Sequence, residues 1–187
     1  MTAPPQAARW IAGATAPPAE AYDADIVILA LDRAEETAAA IASALAQRGA
    51  RRHLIVLDQG SAPASLARFA ALIEGRADAG LYASAINLGV AGGRALASGL
   101  GRGRAIVGLD NDACFAGPDV VAGILAAFAA DSGLGALGLR LLAGASGADD
   151  LSSWGYPRAL LARSGERFPA ACFVGAGHAI RRAAWDA

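Results

Sequence analysis

Seven consecutive residues, Asp25-Ile-Val-Ile-Leu-Ala-Leu31, constrain the fold of this chain more than any other stretch. The run has strand length, is rich in β-branched residues, and lacks the polar alternation of a strand with one wet face. Such a run belongs to a strand covered on both sides, as in the middle of a parallel sheet. The next hundred residues repeat the theme. Glu35 to Gln47 reads as a helix with Ile41 and Leu45 on one face and Gly49 as its stop. Arg52 to Leu57 is a second strand, and Pro63 stands near the first turn of a helix through Ile73. Leu81 to Ile86 is a weaker third strand, Ala91 to Leu100 a third helix, and Ala105 to Leu109 a fourth strand. Pro118 opens a helix through Ala130, and Leu134 to Leu142 has the character of a fifth strand.

Strand and helix alternating at this spacing predict an α/β fold, a mostly parallel sheet with helices on both faces. Residues 1–22, with Pro4, Pro5, Pro17 and Pro18 among alanines, are expected as a flexible tail, and 23–187 as one domain. Gly144 to Arg167 is polar and Gly-rich, long for a connection, and expected to be a binding loop or flap. Phe173 to Ile180 returns to strand-like material, and Arg181-Arg182 start a last helix.

Composition narrows the chemistry. All 16 basic residues are Arg, which excludes a P-loop lysine, a Schiff base and a kinase-type lysine. The net charge of −1 gives no electrostatic reason to expect nucleic acid as a partner. Cys114 and Cys172 have no zinc-finger spacing and read as buried free thiols in a reducing compartment. The N-terminus lacks the basic and apolar regions of a signal peptide. The apolar run Val120 to Ala130 is too short to span a bilayer. The expected location is the cytoplasm, with room for peripheral contact at the inner face of the membrane.

In parallel sheets ligands sit beyond the carboxyl ends of the strands, so Asp32, Asp58, Asn87 and Asp110 should ring one crevice. Asp110 and Asp112, one residue apart where a strand gives way to a loop, fall on the same side of an extended backbone. They can converge on one hard cation, Mn²⁺ or Mg²⁺, whose shell a substrate diphosphate completes. Asp and Asn at such a place also serve turns. Asp58 is either a turn residue or an acceptor for a ribose or base N–H. Asn87-Leu-Gly-Val-Ala-Gly-Gly-Arg94 offers glycines that let backbone approach a partner and a helix start that attracts anions. Arg94 adds a guanidinium fork there. His178 is either a core-edge histidine or a late metal ligand. His53 is expected at the surface. Trp154 and Tyr156 either stack on a sugar or base or pack their loop onto the body.

Taken in order, Asp25 to Arg33, Ile55-Val-Leu-Asp-Gln-Gly-Ser61, Asn87 to Arg94, Leu109-Asp-Asn-Asp-Ala113 and Val174 to Arg182 resemble the motifs of family 2 glycosyltransferases. The resemblance implies the A-type glycosyltransferase fold, a nucleotide-sugar-binding α/β sandwich, and covers nearly all of the chain from Asp25. It implies that Leu31 and Asp32 line the nucleoside pocket, Asp32 standing where the family more often has Asn. Asp58 would meet the base. Asn87, Gly92 and Arg94 would reach the base or phosphates, and Asp110 the ribose or sugar. Asp112, with Asp110 and His178 as further candidates, would hold the metal. Gly175, Ala176 and Gly177 would border the donor sugar and the acceptor.

The implied activity is transfer of a sugar, with inversion, from a UDP- or dTDP-sugar to a saccharide or lipid-linked acceptor. The family places its catalytic base in an acidic motif after the segment matched by Gly175 to Trp185. Asp149, Asp150, Glu166 and Asp186 lack that context, so no catalytic residue is assigned. The chain is therefore expected to be the donor-binding part of such an enzyme, cut short of the acceptor-activating half, with self-association through exposed apolar surface. The competing expectation is a non-catalytic nucleotide-sugar-binding or assembly module. A dinucleotide enzyme would need a G-x-G-x-x-G turn after the first strand, where Leu31-Asp-Arg-Ala-Glu-Glu has no glycine. A nucleotidyltransferase would want a Gly-rich loop with a basic residue at the same place.

Overall fold

The computed structural model describes residues 8–15, 22–144 and 146–187. Seven strands form one sheet in the order β1-β4-β3-β2-β5-β7-β6. They are β1 (Arg9–Gly13), β2 (Ala24–Ala30), β3 (Arg52–Asp58), β4 (Ala79–Ala83), β5 (Ala105–Leu109), β6 (Ala136–Gly138) and β7 (Gly177–Arg181). The central four, β4-β3-β2-β5, run parallel, while β1 and β7 pair antiparallel with their neighbours. The helices are α1 (Ala34–Leu45), α2 (Pro63–Ile73), α3 (Gly89–Gly99), α4 (Val120–Ala130) and α5 (Arg182–Trp185), and a 3₁₀ turn spans Arg158–Arg163.

Alternation along the strands sorts the core into two layers. Ile26, Ile28, Leu54 and Val56 face Ile41 of α1, Phe69 and Ile73 of α2, and Val121, Ile124 and Phe128 of α4. Val27, Ile55, Leu57 and Ile106 face the other way, onto Ala97 and Leu96 of α3 and Leu100 just past its end. Both faces of β2 and β3 are thus covered, which is why neither strand needed polar alternation. Phe69 is fully buried, and its truncation to Ala would cost about 3–5 kcal/mol.

The chain steps from β2 outward through β3 to β4, then returns to place β5 on the opposite side of β2. That reversal opens a crevice beyond the carboxyl ends of β2 and β5, the usual ligand position in such sheets.

Several elements differ from expectation. Arg9–Gly13, read as part of the tail, forms an edge strand on β4 with a register shift between Trp10 and Ala12. The Tyr82 hydroxyl anchors the next two residues, donating to the Ala14 and Thr15 carbonyls. The rest of the tail, residues 1–7 and 16–21, lies outside the described residues. The third strand sits earlier than Leu81 to Ile86, because its partners Leu54 to Asp58 hold Ala79 to Ala83 in register. The expected strand Leu134 to Leu142 shrinks to Ala136–Gly138, and Phe173 to Ile180 to a strand from Gly177.

His53, expected at the surface, is fully buried, since β3 is central. It stacks on Tyr22 with ring centroids 5.2 Å apart and lies 3.5 Å from the buried Asp25 carboxylate. Both thiols, expected buried, are exposed, because Cys114 lies in the loop after β5 and Cys172 in the irregular segment before β7. Among the described residues, no helix is long and apolar enough to cross a membrane.

Candidate functional site

The crevice is built from two linked clusters. The first gathers on the end of β5. Arg94, on the second turn of α3, donates to the Asp110 carboxylate and, at 3.1 Å, to the Gly175 carbonyl. The His178 Nδ1 lies 3.1 Å from the same carbonyl. The Asp110 amide donates to the Ala176 carbonyl at 3.0 Å, and Gly177 pairs with Leu109. Five predicted site residues (Arg94, Asp110, Gly175, Ala176 and His178) therefore meet, although they are spread over 85 positions of sequence.

Gly108 makes this meeting possible. A Cβ there would overlap both Arg94 Nη1 and His178 Cε1. A glycine inside a strand pattern signals close approach, so the run Ala105 to Leu109 carries this clue in its residue types. Gly93 plays a similar part for Gln59, whose side-chain amide would lie 2.8 Å from an added Cβ. The buried Gln59 accepts from the Leu88 amide at 2.9 Å and so fixes the entry to α3. Nothing in the sequence singles out Gln59, because glutamine beside a turn carries no pattern of its own.

Burial lowers the Arg94 guanidinium from its ordinary value, opposed by the charge of Asp110 and their hydrogen bond. Arg94 Nε and Nη1 are buried without partners among the described residues. Burial also lowers the His178 imidazole, with the positive charge of Arg94 acting the same way, against the Gly175 hydrogen bond and Asp110. His178 is thus held neutral near pH 7, stacked on Phe173 with centroids 4.9 Å apart.

The second cluster lies across the crevice, at the end of β2. Asp32 and Arg33 both adopt left-handed backbone, with φ of 52° and 48°. For residues other than glycine this costs on the order of 1–3 kcal/mol each, and it persists only where neighbours over-determine it. Here they do. Ser61 Oγ accepts from the Asp32 amide at 2.7 Å, and the Asp32 carboxylate accepts from the Ala62 amide at 2.7 Å, satisfying the start of α2. Thr37 donates its hydroxyl to the Asp32 carbonyl at 3.1 Å and accepts from the Asn111 side chain at 3.0 Å. Arg33 closes the bridge by pairing with Asp112. The loop after β2 is therefore stitched to the acidic motif after β5.

Other predicted residues stand at the rim. Leu31 is exposed beside Asp32. Asp58 is buried at the end of β3, its carboxylate accepting from the Gly60 and Ser61 amides, so its turn role is realised. Asn87 and Gly92 are exposed, and Asn87 Oδ1 accepts from the Gly89 amide at 2.8 Å. The late carboxylates Asp149 and Asp150 are engaged within their own loop, by Arg140 and Ser164 and by Ser152 and Ser153.

Among the described residues, no three His, Cys, Asp or Glu side chains gather as a metal site. His178 does not complete a triad with Asp110 and Asp112, since its Nδ1 is directed at Gly175 and its ring packs against a guanidinium. Two carboxylates remain at the crevice, each neutralised by an arginine. A pair of carboxylates suits a cation that draws its other ligands from phosphate and water. In that sense the residues fit.

A second opening lies beside the first. A cavity of about 740 Å³ runs between β6 and the 150–174 segment, lined by Trp154, Tyr156, Phe168 and Phe173. The first three meet edge-on or tilted, with centroids 5.3 to 6.3 Å apart. Phe173, shared with His178, is the wall between this cavity and the crevice.

Comparison with known proteins identifies the fold. A mannosyltransferase from Pyrobaculum calidifontis, solved with GDP-Man and Mn²⁺, superposes with a TM-score of 0.68 at 15% identity, over 91% of this chain and 47% of that one. Glucosyl-3-phosphoglycerate synthase from Mycobacterium tuberculosis, solved with Mn²⁺, UDP and glucosyl-3-phosphoglycerate, gives 0.57 at 17% identity, over 87% and 57%. A mycobacterial protein gives 0.60 at 18% identity, over 87% and 54%. The chain spans about half the length of these structures, and they show that its fold is the A-type glycosyltransferase fold. No curated protein matches the sequence. The family model described as "Glycosyl transferase family 2" matches residues 25–186, and the chain belongs to that family.

Proposed function

We propose that this chain binds a nucleoside diphosphate sugar in the crevice and serves transfer of the sugar, with inversion, to an acceptor hydroxyl. One observation carries the reading: Arg94 pairs with Asp110 and Arg33 with Asp112 on the two sides of the crevice where the strand order reverses, behind a family match that covers the same motifs. The mannosyltransferase and synthase neighbours were solved with GDP-Man and with UDP, so the donor class is supported while the base is put to experiment.

Asp112 and Asp110 would hold Mn²⁺ or Mg²⁺, with diphosphate oxygens and water completing the shell. When bound, such a cation neutralises the charge that builds on the leaving nucleotide. The protein's own contribution is preorganised. Arg94, already desolvated, places a guanidinium beside that charge without needing to shed water during reaction. Gly175 and Ala176, tied to Arg94 and Asp110, form a backbone wall against the donor sugar. Neutral His178 adds no competing charge to the Arg94 cation. Leu31 and the Asp58 turn border the nucleoside, and the positive end of α3 lies toward its phosphates.

The acceptor would enter from the aromatic cavity, over Phe173. Aromatic faces beside a few polar groups suit a saccharide, whose C–H faces stack while its hydroxyls hydrogen-bond.

The test is a binding panel. Saturation-transfer NMR with UDP-glucose, GDP-mannose, dTDP-rhamnose and NAD, each with Mg²⁺, should show transfer to a sugar nucleotide that excess pyrophosphate abolishes. Transfer to NAD alone would overturn the reading.

A further inference from the structure

We propose that Arg33 is a diphosphate-binding group of this site, held in store on Asp112 until a divalent cation takes that carboxylate. The inference rests on the donor-site reading above and extends it to a residue outside the Asn87–Arg94 loop.

The two arginines of the crevice are not equivalent. Arg94 is 12% exposed and anchored to both Asp110 and a backbone carbonyl. The Arg33 side chain is 59% exposed, and among the described residues Asp112 is its only polar partner. Arg33 therefore has a fixed backbone and a free head. Its Cα is held by the hydrogen bonds of Asp32, Ser61, Ala62 and Thr37 around a left-handed turn, while its guanidinium is tethered at one point.

A cation arriving at Asp112 competes with that guanidinium for the same oxygens. The displaced head cannot travel far, because the turn is fixed. It is released next to the cation, where a diphosphate would bring several oxygens suited to a planar five-donor fork. Metal binding and diphosphate binding are then linked through Arg33 with opposite signs. The residue opposes the metal alone and favours the diphosphate once the metal is present. A purely structural salt bridge between the two loops would instead weaken both on removal.

The experiment compares wild type, Arg33→Gln and Arg33→Gly, the last relieving the left-handed backbone while removing the same charge. Free Mn²⁺ counted by electron paramagnetic resonance, without nucleotide, should show the variants binding Mn²⁺ about two- to fivefold tighter, the range for losing one exposed ion-pair competitor. Pyrophosphate titrated calorimetrically in saturating Mg²⁺ should bind them roughly three- to tenfold more weakly, as expected for one lost charge-assisted fork. If wild type binds both ligands and either affinity is unchanged in the variants, or both fall together, the role of Arg33 is overturned while the donor-site reading stands. If wild type binds neither Mn²⁺ nor pyrophosphate, both fail.

Discussion

The Arg94 guanidinium on the second turn of α3 is bonded to the Asp110 carboxylate just past the end of β5, with His178 packed against both Arg94 and Gly108. The contact joins the Gly-rich loop to the acidic motif across the reversal in strand order. It also sets what each substitution should do.

Arg94→Lys keeps the charge and loses the fork. A single nitrogen, Nη2, donates to both Asp110 and the Gly175 carbonyl, which leaves Nε and Nη1 without partners among the described residues and open to a diphosphate, whereas a lysine has one nitrogen for all of these. Nucleoside diphosphate affinity in Mg²⁺ should fall about tenfold or more, measured by calorimetry, with little change in the thermal midpoint. Unchanged affinity would remove Arg94 from the site.

Gly108→Ala should fail for a steric reason. The added methyl would overlap Arg94 and His178 within a strand paired on both sides. A cost of about 1–3 kcal/mol is expected, read as a lowered melting temperature, together with loss of nucleotide binding. Gly123→Ala is the control. That position on α4 has open space around an added Cβ, so it should be neutral or mildly stabilising.

Asp23 supplies a pH-dependent element far from the crevice. Hydrogen bonding from Arg51, then from Arg104, holds its carboxyl far below the ordinary 3.8, against the opposing effect of burial. A depressed carboxylate stabilises the fold above its unfolded value and loses that contribution as pH falls below it. Asp23→Asn should therefore melt about 2–4 °C below wild type at pH 7. The gap should close as pH is taken from 5 down through the carboxylate range. A gap independent of pH would assign the effect to packing instead.

Trp154→Ala tests the aromatic cavity. If a saccharide acceptor stacks there, the variant should raise the acceptor KM by about two- to tenfold and leave the donor Kd unchanged. A change in donor Kd alone would make the cavity part of the donor site.

Much of this was legible in the chain. The apolar runs at Ile26 to Leu31 and Leu54 to Leu57 point to central strands, which puts Asp32, Asp58, Asn87 and Asp110 at one end of the sheet, while Gly175 is brought there by the family resemblance. The misreadings have physical causes. Arg9–Gly13 has neither alternation nor a run of β-branched residues, and it becomes a strand only because β4 offers a free edge. His53 looked like surface because polar residues usually are, yet its position in β3 covers both sides of it. The family resemblance implies Asp58 at the base, and its buried carboxylate also closes its own turn, the other role that residue type leaves open. The Arg33 to Asp112 bridge spans 79 positions and depends on two left-handed residues, which no local pattern announces.

If Asp110 and Asp112 grip a cation that in turn grips a diphosphate, nucleotide affinity must depend on metal through those two carboxylates. Calorimetric titration of UDP and of GDP, with and without Mn²⁺, into wild type and Asp112→Ala reads that dependence without relying on turnover. At least one nucleotide should bind wild type about tenfold or more tightly with Mn²⁺ than without, and Asp112→Ala should abolish the difference. Equal affinity with and without metal, or a metal effect that survives in Asp112→Ala, would contradict the shared grip.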